Sequence, residues 1–308
     1  MRSTEAGALP VSRPNRIHWW GTLLYVPLLY GTGWLLSRPL HLIAPGWRPD
    51  QVDLAGAAIA LLLLLFTLPI RLRQFWGESR PWQRLGLLPA DGGRTTPAQT
   101  TARILLALAR GLVMAVVLLM ALSIPLLLLG HAHWRGDLSP GELWNALALV
   151  LGVGFAEEVL FRGWLLGELE LLTGPRRALS LQARIFALVH PWYRFFDQAD
   201  LPHGLAVLAL VIGMILLGTV LGLQRKVDGG LLWGAIGLHG GLVGGWFALQ
   251  SGLLEISPDA PAWLVGPGAG SANPIGGVVG LSSLVLLLAL RKRQLARNPA
   301  AEASSPSR

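Results

Sequence analysis

Runs of about 20 apolar residues recur along this chain, and nothing else in the sequence restricts its fold so tightly. At ~1.5 Å per residue, a helix of that length matches the ~30 Å hydrocarbon layer of a bilayer. A backbone in hydrocarbon must satisfy its own amides and carbonyls, which makes each run a helix. Eight runs can be delimited, at residues 17–37, 54–70, 104–130, 143–166, 181–199, 204–223, 230–250 and 275–290. Composition agrees, because 53% of the 308 residues are hydrophobic and 14% are charged, whereas soluble domains carry about 25% charged residues. A soluble enzyme, a disordered chain and a single-anchor protein are excluded. The expected fold is all-α, a polytopic transmembrane helix bundle of about eight spans.

Two runs are irregular. The third is too long for one straight crossing and reads as an amphipathic lead-in up to Arg110, then a clean run from Gly111 to Gly130. The fifth is strongly apolar only from Leu181 to His190, before Pro191. A weakly apolar span can be shielded from lipid by its neighbours. The first run is longer than the apolar part of a signal peptide and is read as a span.

Basic residues set the orientation, since Lys and Arg collect in cytoplasmic loops. With the N-terminus cytoplasmic, nineteen of the 25 Lys and Arg fall in inner segments. Only Arg38, Arg48, Arg135 and Arg194 fall in outer ones, while Arg110 and Arg162 lie inside runs. Both termini are therefore expected in the cytoplasm, of a multi-pass protein of the bacterial inner membrane. The net charge of +8 marks topology and contact with membrane lipid; no nucleic acid partner is expected. The absence of cysteine excludes disulfides, thiolate metal sites and a cysteine nucleophile. Residues 1–142 hold three spans and a basic cytoplasmic segment, 143–290 the remaining spans, and 291–308 a tail that reads as disordered.

A charge at the bilayer centre costs about 2.5–3.5 kcal/mol even on a lenient scale, so residues that accept this cost carry information. The fourth run contains Glu157, Glu158 and Arg162, the fifth His190 and the seventh His239. Each of Glu157, His190 and His239 lies about nine residues from the inner end of its run, roughly 13–14 Å deep. Glu158 and Arg162 have the i,i+4 spacing of a helical ion pair, and read first as a structural bridge. Glu157 lies ~100° around the helix and faces another neighbour, as a general base and acid would. Taken singly, either histidine also reads as a helix-to-helix hydrogen-bond partner. Gly237, Gly241 and Gly245 form a strip that lets another helix approach, and His239 points away from it.

These residues resemble a known family. Glu157-Glu158-x-x-x-Arg162 is similar to the EExxxR motif of the CPBP (CAAX protease and bacteriocin-processing, or Abi) intramembrane proteases. Phe186-x-x-x-His190 resembles the second motif, FxxxH, and His239 the start of the third. The resemblance covers residues 143–250 and marks 143–290 as the protease core. It implies that Glu157 and His190 activate a water to attack a peptide carbonyl, and that His239 helps hold the oxyanion. Glu158, Arg162 and Phe186 are then supporting residues. Position 243 is Val, where prenyl-protein endopeptidases of the family carry an Asn; loss of one oxyanion donor typically costs ~100–1000-fold in rate. Glu157, His190 and His239 are also a ligand set that zinc can use. The resemblance favours a glutamate-dependent mechanism that requires no cofactor.

The expected function is an intramembrane endopeptidase acting on a membrane-associated peptide or protein. Two rivals come from other classes. One is a catalytically silent member acting as an interaction or immunity protein, which Val243 favours. The other is a proton-coupled transporter using Glu157 and His190 as a relay, against which stands the absence of related halves.

Overall fold

The computed structural model describes residues 17–43, 46–47, 49–90, 95–190, 201–266 and 274–297. The second half of the fifth run, 191–199, and the tail 298–308 lie outside the described residues. The chain forms two compact units, residues 1–81 and 82–308. Among the described residues the regular structure is helical apart from one pair of three-residue strands.

The first unit contains α1 (Trp19–Ser37), α2 (Leu40–Ile43) and α3 (Pro49–Trp76). Helices α1 and α3 meet backbone to backbone, since a Cβ on Gly33 would lie 2.4 Å from the Gly56 carbonyl oxygen. Small residues at such a crossing replace the hydrophobic drive that lipid cannot supply. Tyr25 Oη and Thr67 Oγ1 are hydrogen-bonded at 2.8 Å, and Arg38 pairs with Asp53 near one end. Leu23, Leu28, Leu62 and Phe66 remain exposed, as side chains facing acyl tails would be.

The second unit starts with α4 (Pro81–Leu85) and α5 (Pro97–Leu128), followed by β1 (Ala132–Trp134) and α6 (Pro140–Glu158). A π-helical segment, Val159–Leu165, leads into α7 (Leu166–Thr173), α8 (Pro175–Val189), α9 (Leu201–Val227) and α10 (Trp233–Ala248). After a second π-helical turn, Leu249–Leu253, come β2 (Leu254–Ile256), α11 (Ala262–Val265), a 3-10 turn at Pro274–Gly276, and α12 (Val278–Arg297). Helices α5 and α6 each begin with a capping box and a proline, Thr96–Gln99 with Pro97 and Ser139–Glu142 with Pro140. These satisfy orphan amides and fix where each helix starts. The third run proves to belong to one 32-residue helix that continues through Arg110, whose side chain pairs with Asp228 at 3.0 Å. Antiparallel β1 and β2, with His133 opposite Glu255, lie on a small apolar cluster of Leu126, Leu254, Leu264 and Val265.

Helix α10 is the axis of this unit. Its glycine strip faces α5, where a Cβ on Gly237 would lie 2.3 Å from the Leu108 carbonyl oxygen. A second strip, Gly240 and Gly244, faces α6, with hypothetical Cβ atoms 2.2 Å from Val150 O and 2.4 Å from Ala146 O. Helix α8 is amphipathic and buries Ala178, Gln182, Ala183, Phe186 and Ala187. At 15 residues it is only about 22 Å long, which explains its weak signal in the sequence. Among the described residues, four helices are long and apolar enough to cross a membrane: Gln51–Trp76, Pro97–Leu128, Pro140–Thr173 and Val207–Val227.

Candidate active site

The close approach of α6 and α10 builds the site. A Cβ on Gly154 would lie 2.6 Å from the Gly240 Cα, so the imidazole of the preceding residue, His239, is carried up against Glu157 and Glu158. Helix α8 enters from another side, admitted by Gly218 of α9. A Cβ there would lie 3.1 Å from the Ala183 Cα and 3.3 Å from the Phe186 ring.

The buried layer of the site is formed by Glu158, Arg162, His239 and Phe186. Glu158 Oε1 accepts from Arg162 Nη1 at 2.6 Å and from His239 Nδ1 at 2.8 Å. Both Glu158 and Arg162 are fully buried. A buried ion pair is tolerable only when its geometry satisfies the charges, and the added imidazole does part of this. Among the described residues, Nε and Nη2 of Arg162 have no hydrogen-bond partner. The guanidinium instead lies 4.1 Å from the centroid of the Phe186 ring, an arrangement that stabilises a desolvated cation. The Phe186 ring also contacts His190 at 4.4 Å, Phe161 edge-on at 5.1 Å and His239 edge-on at 5.7 Å between centroids. Phe186 thus sets the position of a cation and two imidazoles at once.

The open layer is formed by Glu157 and His190, whose side chains are each 25% exposed against 4% for His239. Glu157 Oε2 lies 3.2 Å from His190 Nε2 and 3.8 Å from His239 Nε2. His190 Nδ1 donates to the Phe186 carbonyl at 2.7 Å. A carbonyl only accepts, so Nδ1 carries a proton, and one further proton is shared between Nε2 and Glu157 Oε2. The same logic applied to His239, whose Nδ1 faces a carboxylate, leaves Nε2 turned toward Glu157. The structure therefore brings together all six residues singled out in the sequence.

The segment between the paired glutamates and the rest of the chain is the π-helix Val159–Leu165, in which the amide of Leu166 donates to the Phe161 carbonyl rather than to that of Arg162. Single π turns inside α-helices occur often at functional sites. Residues 139–244, which contain this segment and all six side chains, match the family model of the Type II CAAX prenyl endopeptidase Rce1-like proteins. Through this stretch the chain is similar to the CPBP/CAAX protease family. A second model, a domain of unknown function (DUF8676), matches residues 3–80. No curated protein and no solved structure matches the chain.

Within the matched stretch, Val243 is half-buried on α10 and its side chain has no donor to offer an oxyanion. Zinc can be tested against the side chains present. Among the described residues no three His, Cys, Asp or Glu are arranged to hold a metal ion. His190 Nδ1 is held by the Phe186 carbonyl and His239 Nδ1 by Glu158, which leaves Nε2 of both rings turned toward Glu157. Arg225 was missed at the sequence level. Its guanidinium donates to the Arg162 carbonyl, within the π-helix, but a basic residue at a helix end reads from sequence as an orientation signal.

Proposed function

We propose that this protein is a member of the CPBP/CAAX protease family and an intramembrane endopeptidase. It hydrolyses a peptide bond of a membrane-associated peptide or protein with a water activated by Glu157 and His190. The observation that carries this reading is the convergence on one carboxylate oxygen, Glu157 Oε2, of His190 Nε2 at 3.2 Å and His239 Nε2 at 3.8 Å. A water beside Glu157 and His190 gives a proton to the carboxylate as its oxygen bonds to the peptide carbonyl carbon. The carbonyl oxygen becomes the oxyanion and takes a hydrogen bond from His239 Nε2. Because Nδ1 of that ring is bonded to Glu158, Nε2 donates only when both ring nitrogens carry a proton. The carbon–nitrogen bond then breaks, and Glu157 returns the proton to the leaving nitrogen. No cofactor is required, and Glu158, Arg162 and Phe186 hold the reacting groups in place.

In this reading the eight apolar runs are eight spans, both termini are cytoplasmic, and the protein resides in a bacterial inner membrane. The short helices α8 and α10 are shielded from lipid by their neighbours. Residues 1–142 serve as the N-terminal membrane part, 143–290 as the protease core and 291–308 as a cytoplasmic tail. Val243 supports a second reading, a catalytically silent member acting as an interaction or immunity protein.

Cleavage of a peptide library by the purified protein separates the two. Wild type is expected to cleave, with and without chelator, while Glu157→Ala and His190→Ala abolish cleavage and still insert and fold. Equal cleavage by wild type and Glu157→Ala, or none by wild type across the library, overturns the endopeptidase reading. Inhibition by chelator overturns its cofactor-free form.

A further inference from the structure

Arg225, near the end of α9, is largely buried, yet forms no ion pair among the described residues. Its guanidinium is spent entirely on backbone carbonyls. Nε donates to Gly230 O at 3.2 Å, Nη2 to Arg84 O at 2.7 Å, and Nη1 to Arg162 O. These three carbonyls belong to the turn after α9, to α4 and to the π-helix. A cation that served only to orient the chain would gain nothing from burial against three separate elements, and a lysine would serve as well.

The carbonyl of Arg162 explains the arrangement. In an uninterrupted α-helix it would accept from the amide four residues on, that of Leu166. Here that amide donates to Phe161 O instead, and the carbonyl of Arg162 loses its ordinary partner. A buried carbonyl without a donor is strongly disfavoured. The guanidinium of Arg225 stands where the missing backbone donor would have been.

We infer that Arg225 is a positioning residue that locks the π-helical register at Val159–Leu165 and thereby aims His239, a role that rests on the endopeptidase reading for its effect on catalysis. The connection runs through atoms in contact. Arg225 fixes the backbone of Arg162, whose side chain holds Glu158 Oε1 at 2.6 Å. The same oxygen holds His239 Nδ1 at 2.8 Å, which sets where Nε2 points. If the segment relaxes toward an α-helical register, the Arg162 side chain swings around the helix and the shared oxygen loses one of its two donors. Lysine at 225 keeps the charge but presents a single nitrogen, which cannot span three carbonyls in a fixed fork.

The experiment compares full-length wild type, Arg225→Lys, Arg225→Met and the neighbouring control Lys226→Gln in detergent, on a peptide that wild type cleaves. Arg225→Lys is expected to lower kcat about 10- to 100-fold, the scale of an ångström-level misplacement, with KM changed less than about twofold. Lys226→Gln is expected to match wild type. Hydrogen exchange at residues 159–166 is expected to quicken in Arg225→Lys, and local exchange elsewhere to stay unchanged. Wild-type kcat in a folded Arg225→Lys protein, or a rise in KM alone, overturns the catalytic part. Unchanged exchange at 159–166 overturns the register lock, and this readout decides even if wild type cleaves nothing and the endopeptidase reading has fallen. If Arg225→Met fails to fold, Arg225→Lys carries the test.

Discussion

Replacing Gly240 by alanine adds one methyl group where the structure has no room for it. The new Cβ would lie 2.2 Å from the Val150 carbonyl oxygen and 3.0 Å from the Val150 carbonyl carbon. Carbon and oxygen settle at about 3.3–3.6 Å, so α6 and α10 must part by roughly 1 Å. No rotamer change can absorb this, because the atom met is backbone. His239 lies next to the substitution, and its Nδ1 is 2.8 Å from Glu158 Oε1 on the helix being pushed away. A further ångström takes that contact beyond the ~3.2 Å limit of an N–H···O bond. Overpacking of this kind costs about 1–3 kcal/mol, and a reacting group displaced by about 1 Å loses on the order of 100-fold in rate. The measurement is thermal unfolding in detergent together with kcat on a cleaved peptide. The matched control is Gly152→Ala on α6, where a Cβ meets nothing within 4 Å and stability should hold or rise by up to about 1 kcal/mol. A Gly240→Ala protein that melts and cleaves like wild type would refute the idea that backbone contact between α6 and α10 sets the site.

Two other substitutions probe the buried layer. Glu158→Ala strands the Arg162 guanidinium without its carboxylate and should cost roughly 3–5 kcal/mol, whereas Glu158→Ala with Arg162→Met should recover most of that stability but none of the cleavage; melting curves and peptide assays read both. Phe186→Leu removes the ring face over which Arg162 sits and the edges that hold His190 and His239, and should cost about 2–4 kcal/mol while lowering kcat more than KM; equal kcat would show that the ring only fills space.

The site was legible because hydrocarbon penalises charge. Glu157, Glu158, Arg162, His190 and His239 stand out in apolar runs where nearly every neighbour is uncharged, so their placement could be read from depth along three helical segments. Which partner each chose could not. The i,i+4 spacing of Glu158 and Arg162 announced their pair, but nothing local announces that His239, 81 positions later, shares the same oxygen. The π-helix left no signal, because its residues Val159–Leu165 have the composition of any buried helix. Gly240 and Gly244 were hidden for a related reason: glycine in an apolar helix marks close approach without naming the neighbour. Three-residue strands such as β1 and β2 are too short to produce an alternating pattern. The 32-residue helix α5 was divided at Arg110 in the sequence because a charge there has no visible partner until the chain folds Asp228 against it.

The double glycine face of α10 has a mechanical consequence. Between most packed helices lies a cushion of side chains that can change rotamer and absorb a small displacement. Where α10 meets α5 and α6 the main chains touch directly, and that cushion is missing. A thinner bilayer or a shift in lateral pressure that tilts any of these three helices is transmitted undamped to the imidazole of His239. On the endopeptidase reading, turnover is therefore expected to change with the lipid composition around the protein.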